Sequence, residues 1–299
     1  MNQLDAITAF VRVAELSSFT QAALSLGLPK SSISAAVLQL ETHLRVQLLY
    51  RTTRRVQLTH DGQAYLDRAR DMLADLEDMD SMFLHAPGEL TGTLRVDMPV
   101  AMARNHIIPK LPQFLDRHPG LEIELSCTDR RVDVVAEGFD CVIRAGAMGD
   151  SGLMARQLGA MPMLNVASPG YIAKYGMPMT LDDLDHHRLV HYVMQLGSKP
   201  FGFEYWDGQA YQSRPVRGVV SVNNTVAYNS AALAGLGITQ APKAGVKDSL
   251  ADGSLVEVLP QYRAEPLPIA IVYPRRRHQA RRVRAFMDWV AEVIAPYLD

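Results

Sequence analysis

Two short amphipathic patterns that meet at a glycine constrain this chain more than any other feature. Ser18-Phe-Thr-Gln-Ala-Ala-Leu-Ser-Leu-Gly27 runs directly into Leu28-Pro-Lys-Ser-Ser-Ile-Ser-Ala-Ala-Val-Leu-Gln-Leu-Glu41. Ahead of them, Leu4, Ile7, Phe10, Val11 and Ala14 recur at helical spacing and predict a helix over residues 3–15. Ser18 offers an N-cap, and Gln21 three residues on completes the pattern of a capping box. Ala22, Ala23 and Leu26 form the inner stripe of this second helix, and Gly27 ends it as a residue free to take positive φ. Pro29 suits the first turn of a third helix. Ile33, Val37 and Leu40 give that helix its inner face, while Lys30, Ser31, Ser34 and Ala35 fall outside. Small and polar side chains there allow close approach to a partner surface.

The next stretch reads as a turn and two short strands, residues 48–50 and 55–58, with the basic loop Arg51-Thr-Thr-Arg-Arg55 between them as a wing. A unit of this kind lays one helix in a DNA major groove. The net charge of −2 gives no hint of nucleic acid, but the first sixty residues carry six basic side chains (Arg12, Lys30, Arg45, Arg51, Arg54, Arg55) against three acidic ones (Asp5, Glu15, Glu41). The local balance matters more than the total, because salt screens charge beyond about 8–10 Å.

Thr59 then caps a long helix whose apolar positions include Tyr65, Leu66, Ala69, Met72, Leu73, Leu76, Met79 and Phe83. Its other face is acidic and reads as solvent-exposed, with Asp67, Asp71, Asp75, Glu77, Asp78 and Asp80. A helix of this length with one apolar seam needs a partner helix. Pro87-Gly88 marks its end.

From Gly92 the texture changes to alternating strands and helices. Residues 93–98, 121–128 and 140–144 read as strands, with a helix through Ile107, Leu111, Phe114 and Leu115 and another over residues 132–136. That βαβαβ order implies a parallel sheet with right-handed crossovers. Near Met161-Pro162 the chain leaves this sheet for a second α/β lobe that runs to Pro266. Residues 267–273 and a helix over residues 280–294 return to the first lobe. Two crossings between lobes make a hinged cleft. The fold class is therefore mainly α/β: a winged helix-turn-helix over residues 1–58, a linker and dimerisation helix over 59–88, and a two-lobed domain over 89–299. Lobe I takes residues 91–161 and 267–299, and lobe II takes 162–266.

Little else suggests chemistry. At 48% hydrophobic and 21% charged residues, the chain is folded rather than disordered. Cys127 and Cys141 lie in strand-like runs and read as buried free thiols. His186, His187 and His191 match no zinc spacing and read as a solvated loop, so no metal and no cofactor is expected. The run Arg275-Arg-Arg-His-Gln-Ala-Arg-Arg-Val-Arg284 reads as a solvated loop and helix face. No Gly-rich phosphate loop and no Gly-x-Ser-x-Gly elbow is present, which argues against an enzyme. The start of the chain lacks a basic export signal and no apolar run reaches the ~18 residues of a membrane helix. The expected place is the cytoplasm, with no membrane partner.

Taken together, these residues resemble the LysR-type transcriptional regulators. Ser18-Phe-Thr-Gln-Ala-Ala, Leu40-Glu41, Arg51-Thr-Thr-Arg54 and Leu58-Thr59 with Gly62 carry the likeness in the first part. Gly92-Thr-Leu-Arg-Val, the block from Asp129 to Arg144 and Ala167-Ser-Pro-Gly-Tyr171 resemble the CrgA-like branch. The resemblance implies a DNA-binding dimer that pairs into tetramers, an interrupted palindromic operator, and a small-molecule effector held between two lobes like those of type 2 periplasmic binding proteins. RNA polymerase is a further implied partner.

By position, the resemblance assigns DNA contact to Pro29, Lys30, Ser31, Ser34 and Ala35 on the third helix and to Arg51, Thr53 and Arg54 in the wing. Many members carry Arg where this chain has Ala35, so a bidentate guanine contact worth about 1–3 kcal/mol of discrimination is missing there. It assigns effector contact to Pro99, Val100, Ala101, Thr128, Arg144, Asn223, Thr225 and Pro242. Many relatives have a hydroxyl residue in place of Pro99, which removes a donor for a carboxylate ligand. Arg144 offers a cationic fork for an anion, or a structural ion pair with Asp97 or Asp140. Thr128 binds ligand or simply ends a strand. The competing class is a solute-binding protein of the periplasmic type with no role in transcription.

Overall fold

The computed structural model describes residues 2–51, 56–84, 90–146, 152–275 and 280–299. The chain separates into two compact units, one built mainly from residues 1–89 and the other from the remainder.

The first unit opens with three helices, α1 (Gln3–Leu16), α2 (Phe19–Leu26) and α3 (Lys30–Leu44). Asn2 and Asp5 form a reciprocal capping box at the start of α1. At α2 the box is half made: Ser18 Oγ accepts from the Gln21 N–H, without a return bond from the Gln21 side chain. Gly27 ends α2 at φ +63°, and Pro29 is the N-cap of α3 rather than a residue of its first turn. Phe10, Val13, Ile33, Ala36, Val37, Leu40, Leu48 and Leu49 close one core at 2% exposure or less. Each of these side chains larger than alanine contributes roughly 1.5–3 kcal/mol on burial.

A two-stranded antiparallel ribbon follows, β1 (Leu49–Arg51) and β2 (Val56–Leu58). Glu41 Oε1 accepts the backbone N–H groups of Leu48 (2.9 Å) and Leu49 (3.1 Å), which fixes where the ribbon leaves α3. Thr59 Oγ1 accepts from the Gly62 N–H at 2.9 Å and starts α4 (His60–Leu84). Leu66 and Ala69 of α4 are buried, Tyr65 meets Phe10 edge-on at 5.6 Å, and Arg70 reaches Glu15 at 3.3 Å. Further along, Met72 and Met79 are exposed. The side chains of Asp71, Asp75, Glu77, Asp78, Asp80 and Phe83, and Pro87-Gly88, lie outside the described residues.

The second unit begins with β3 (Thr91–Met98). The single helix expected after it is broken into α5 (Val100–Met102), a π-helical turn Ala103–Ile107, a 3-10 turn Ile108–Lys110 and α6 (Leu111–Arg117). Pro109 and Pro112 lack the N–H that a continuous helix requires. β4 (Gly120–Cys127) and β5 (Cys141–Ala145) flank β3 in parallel. The helix expected over residues 132–136 is absent. Residues 134–138 form a turn, closed by the Phe139 N–H on the Val134 carbonyl at 2.9 Å, too short a span for helix nucleation to be repaid.

β6 (Met154–Met161) leads out of this sheet, and the chain builds β7 (Met163–Ala167), α7 (Pro169–Tyr175), β8 (Leu189–Tyr192), β9 (Phe203–Trp206), β10 (Tyr211–Arg214), β11 (Gly218–Val222), α8 (Thr225–Leu233), β12 (Thr239–Pro242), α9 (Lys243–Ala251) and β13 (Val256–Glu257). β14 (Leu267–Tyr273) then returns, and α10 (Arg281–Ile294) follows. The first sheet runs β4-β3-β5-β14-β6, with β14 antiparallel to both neighbours, so it is mixed rather than wholly parallel. α10 buries Phe286, Trp289, Val290 and Ile294, and Trp289 stacks on Phe114 at 4.8 Å. Arg282, expected in solvent, is buried and its Nε donates to the Thr93 carbonyl.

In the second lobe β7 lies between β12 and β13, while β8 pairs with β11 in parallel and β9 with β10 as a hairpin. Fully buried Asn165 of β7 donates to the Leu259 and Tyr262 carbonyls and accepts from Gln240. Cys141 is buried, but Cys127 is exposed, because β4 is an edge strand whose last residue has no cover. Among the described residues no helix is long and apolar enough to cross a membrane.

Candidate nucleic-acid interface and ligand cleft

The outer face of α3 is built by its inner one. Ile33, Ala36, Val37 and Leu40 are held at 2% exposure or less, which fixes the helix rotation. Pro29, Lys30, Ser31 and Ala35 are then exposed, and Ser34 is half-buried beside them. Lys30 with Ser34 and Ser31 with Ala35 are four positions apart, and Ser31 with Ser34 three, so they share one surface of the first two turns. This patch has one cation, two hydroxyls and a methyl group, with little bulk to hold the helix away from another surface. In the wing, the Arg51 side chain and residues Thr53 and Arg54 lie outside the described residues.

In the second unit, the carboxyl ends of β3, β4 and β5 converge on Asp97. Its side chain is fully buried. Asp97 Oδ1 accepts from Ser126 Oγ at 2.7 Å and from Thr128 Oγ1 at 3.0 Å. Asp97 Oδ2 accepts from Arg144 Nη1 at 2.9 Å. The Arg144 side chain is only 16% exposed, and its Nη2 is buried without a hydrogen-bond partner among the described residues. Of the two readings for Arg144, the ion pair with Asp97 is therefore made, and one donor is left over. Asp140 is occupied otherwise, accepting the Arg95 N–H.

A second carboxylate, Asp129, joins the remaining elements. Asp129 Oδ1 accepts from the Val100 N–H at 3.0 Å. Its Oδ2 accepts from the Thr225 N–H at 2.5 Å and from Thr225 Oγ1 at 2.9 Å. α5 and α8 are in contact here, so Val100 of the first lobe and Thr225 of the second meet at one side chain. Tyr192 and Tyr228 stand nearby, edge to face at 5.6 Å. Burial, and secondarily the Asp129 charge, pushes the Tyr192 hydroxyl up to about 12.

Of the residues assigned to effector contact, Thr128 and Arg144 share Asp97, and Val100 and Thr225 share Asp129. Pro99 is the N-cap of α5, Ala101 is half-buried within it, Asn223 is exposed, and Pro242 caps α9. Sequence reading missed both organising carboxylates as site residues. Asp129 gave one usable signal, an acidic residue directly after a period-two strand, where ligands of open α/β sheets bind. His187 is part of the second lobe's core and shares a hydrogen bond with the Tyr171 hydroxyl at 3.1 Å. Among the described residues no group of three or more His, Cys, Asp or Glu could hold a metal ion.

Residues 4–63 match the family described as bacterial regulatory helix-turn-helix protein, lysR family, and residues 87–295 match the LysR substrate binding domain. The HTH-type transcriptional regulator YhjC of Escherichia coli K12 is 46% identical over 299 residues, covering 100% of both chains. An HTH-type transcriptional repressor of Pseudomonas aeruginosa is 37% identical and covers 99% of this chain and 93% of its own. The solved structure of CrgA, a LysR-type regulator from Neisseria meningitidis, is 30% identical, covers 96% of this chain and 97% of its own, and superposes with a TM-score of 0.60.

Proposed function

The chain belongs to the LysR family of DNA-binding transcriptional regulators with an effector-binding domain, and from that premise we propose how its residues divide the work. Pro29, Lys30, Ser31, Ser34 and Ala35 face the major groove, and Arg51, Thr53 and Arg54 enter the flanking minor groove. The observation that carries this reading is the exposed, small-residue face of α3 above a fully buried inner row. With Ala35 in place of a guanine-reading Arg, Lys30, DNA shape and the wing carry more of the selectivity. The protein acts in the cytoplasm as a dimer that pairs into a tetramer on an interrupted palindrome. The bare Met72 and Met79 of α4 support a partner helix there. RNA polymerase is a further partner.

The effector lies between the lobes, at the edge formed by Pro99, Val100, Ala101, Thr128 and Arg144 on one side and Asn223, Thr225 and Pro242 on the other. The spare Arg144 Nη2 supports an anionic group on the ligand. Such a ligand alters operator binding only through different affinity for two arrangements of the protein.

Fluorescence anisotropy on duplexes from the regulator's own upstream region tests the DNA face. Arg54→Ala should weaken binding and flatten the log–log salt slope by about one. Ser34→Arg should change sequence preference. Unchanged affinity and preference in both variants would overturn the assigned face.

A further inference from the structure

We propose that Asp129 is an intramolecular tether that holds the effector cleft closed, so that a ligand entering between the lobes must part it. This rests on the reading of the interlobe cleft as the effector site. The tether is one carboxylate on three donors, belonging to residues 29 and 96 positions away in the chain. Asp129 and Val100 belong to the first lobe, while Thr225 opens α8 in the second.

The local geometry equips Thr225 for this contact. Asn224 is the N-cap of α8, and its side chain accepts from the Ala227 N–H. The N–H of Thr225, at the first position of the helix, has no intrahelical acceptor and is free to point across the cleft. The positive end of the nine-residue α8 adds to the attraction for a carboxylate. Thr225 Oγ1 completes the grip on the same oxygen. On the other side the Val100 N–H, at the start of α5, has no intrahelical acceptor either and takes Asp129 Oδ1.

Asp129 is itself held from behind. The Thr128 N–H donates to the Met98 carbonyl at 3.0 Å, which extends the β3–β4 ladder to the residue before it. Thr128 Oγ1 is bound to Asp97, and Asp97 is bound to Arg144. The tether is thus anchored on the ladder and the buried ion pair of lobe I. A ligand that engages Arg144 Nη2 draws on the same group of residues. Separating the lobes costs the Thr225 bonds while leaving the Val100 bond intact, so the lobes have two discrete arrangements that differ by a few charge-assisted contacts.

Hydrogen exchange on the full-length protein, read at the peptide that begins α8, tests the tether without any operator. Asp129→Asn should raise exchange at the Thr225 amide by about ten- to a hundred-fold, the scale of a lost hydrogen bond to a charged group. Thr225→Pro removes both donors while suiting the first helical position after an extended residue. It should reproduce the change that Asp129→Asn makes in operator affinity, and the double variant should go no further than either alone. Unchanged exchange in Asp129→Asn overturns the tether. So does raised exchange with operator affinity and footprint identical to the unaltered protein in both variants. Because exchange is read with neither effector nor DNA present, its outcome is distinguishable from a failure of the cleft to bind an effector.

Discussion

Arg144 Nη1 lies 2.9 Å from Asp97 Oδ2, and Asp97 is shut off from solvent completely. An ion pair this buried is held together by the need of each partner for the other. Its net contribution is small, but losing one member leaves a desolvated charge. Asp97→Ala should therefore lower stability by about 3–5 kcal/mol, read as a shift in urea midpoint. Asp97→Asn, which retains acceptor and volume, should cost less. Equal stability of Asp97→Ala and the parent would contradict the burial of the pair.

Gly62 serves close approach rather than unusual dihedrals. A Cβ built there would come within 1.9 Å of the Leu48 carbonyl oxygen. That carbonyl accepts the Thr59 N–H at 3.0 Å and cannot move freely. Gly62→Ala should cost about 1–3 kcal/mol, the range for overpacking, measured as a lower melting temperature of the helical signal.

Glu41 should matter to DNA binding without touching DNA. Its carboxylate takes the two N–H groups that lead into β1, and Leu48 and Leu49 are both buried. Glu41→Ala leaves those donors unmet, a loss of about 1–3 kcal/mol, and frees the wing to shift. Thermal melts should show the loss, and operator binding should weaken more than in Glu41→Gln. Parity between the two variants would show that the acceptor is dispensable.

Acid should destabilise the protein through His106. Burial, and secondarily Lys110, holds its pKa below the ordinary histidine value of 6.5. Its Nδ1 is buried without a partner among the described residues, and the ring stacks on Tyr297 at 4.0 Å. The unfolded chain therefore binds more protons than the folded one between the depressed pKa and 6.5, so stability rises with pH across that window and falls as pH drops below about 6.5. His106→Leu should lose less melting temperature than the parent between pH 7 and pH 5. The slope will not vanish, because burial also lowers His187 and His191.

The helix-turn-helix was legible because its signals are written locally: the Ser18 cap, the positive φ of Gly27 and the three-four spacing of the apolar row of α3 each lie within one element or its end. Periodicity placed β3, β4, β5 and α10 for the same reason, and the family likeness supplied the assignment of roles. The turn at residues 134–138 was misread because a five-residue apolar pattern does not distinguish a helix from a single turn. Asp97 entered only as a candidate ion-pair partner of Arg144, and Asp129 escaped notice, because their partners stand 29 to 96 positions away and meet them only once separate strands and helices come together. Arg282 looked solvated in a run of cations, yet its stem packs inward.

The placement of β14 has a consequence for how the protein is made. This strand separates β5 from β6 in the first sheet, although 105 residues of second lobe, 162–266, are translated before it. At about 5–20 residues per second, β5 and β6 wait roughly 5–20 seconds on the ribosome before the strand that pairs with both emerges. During that interval β5 and β6 are bare edges. A nascent chain cut short before Leu267 would keep its helix-turn-helix and lack a complete substrate-binding domain, and truncated products of this kind should be found in the aggregated fraction.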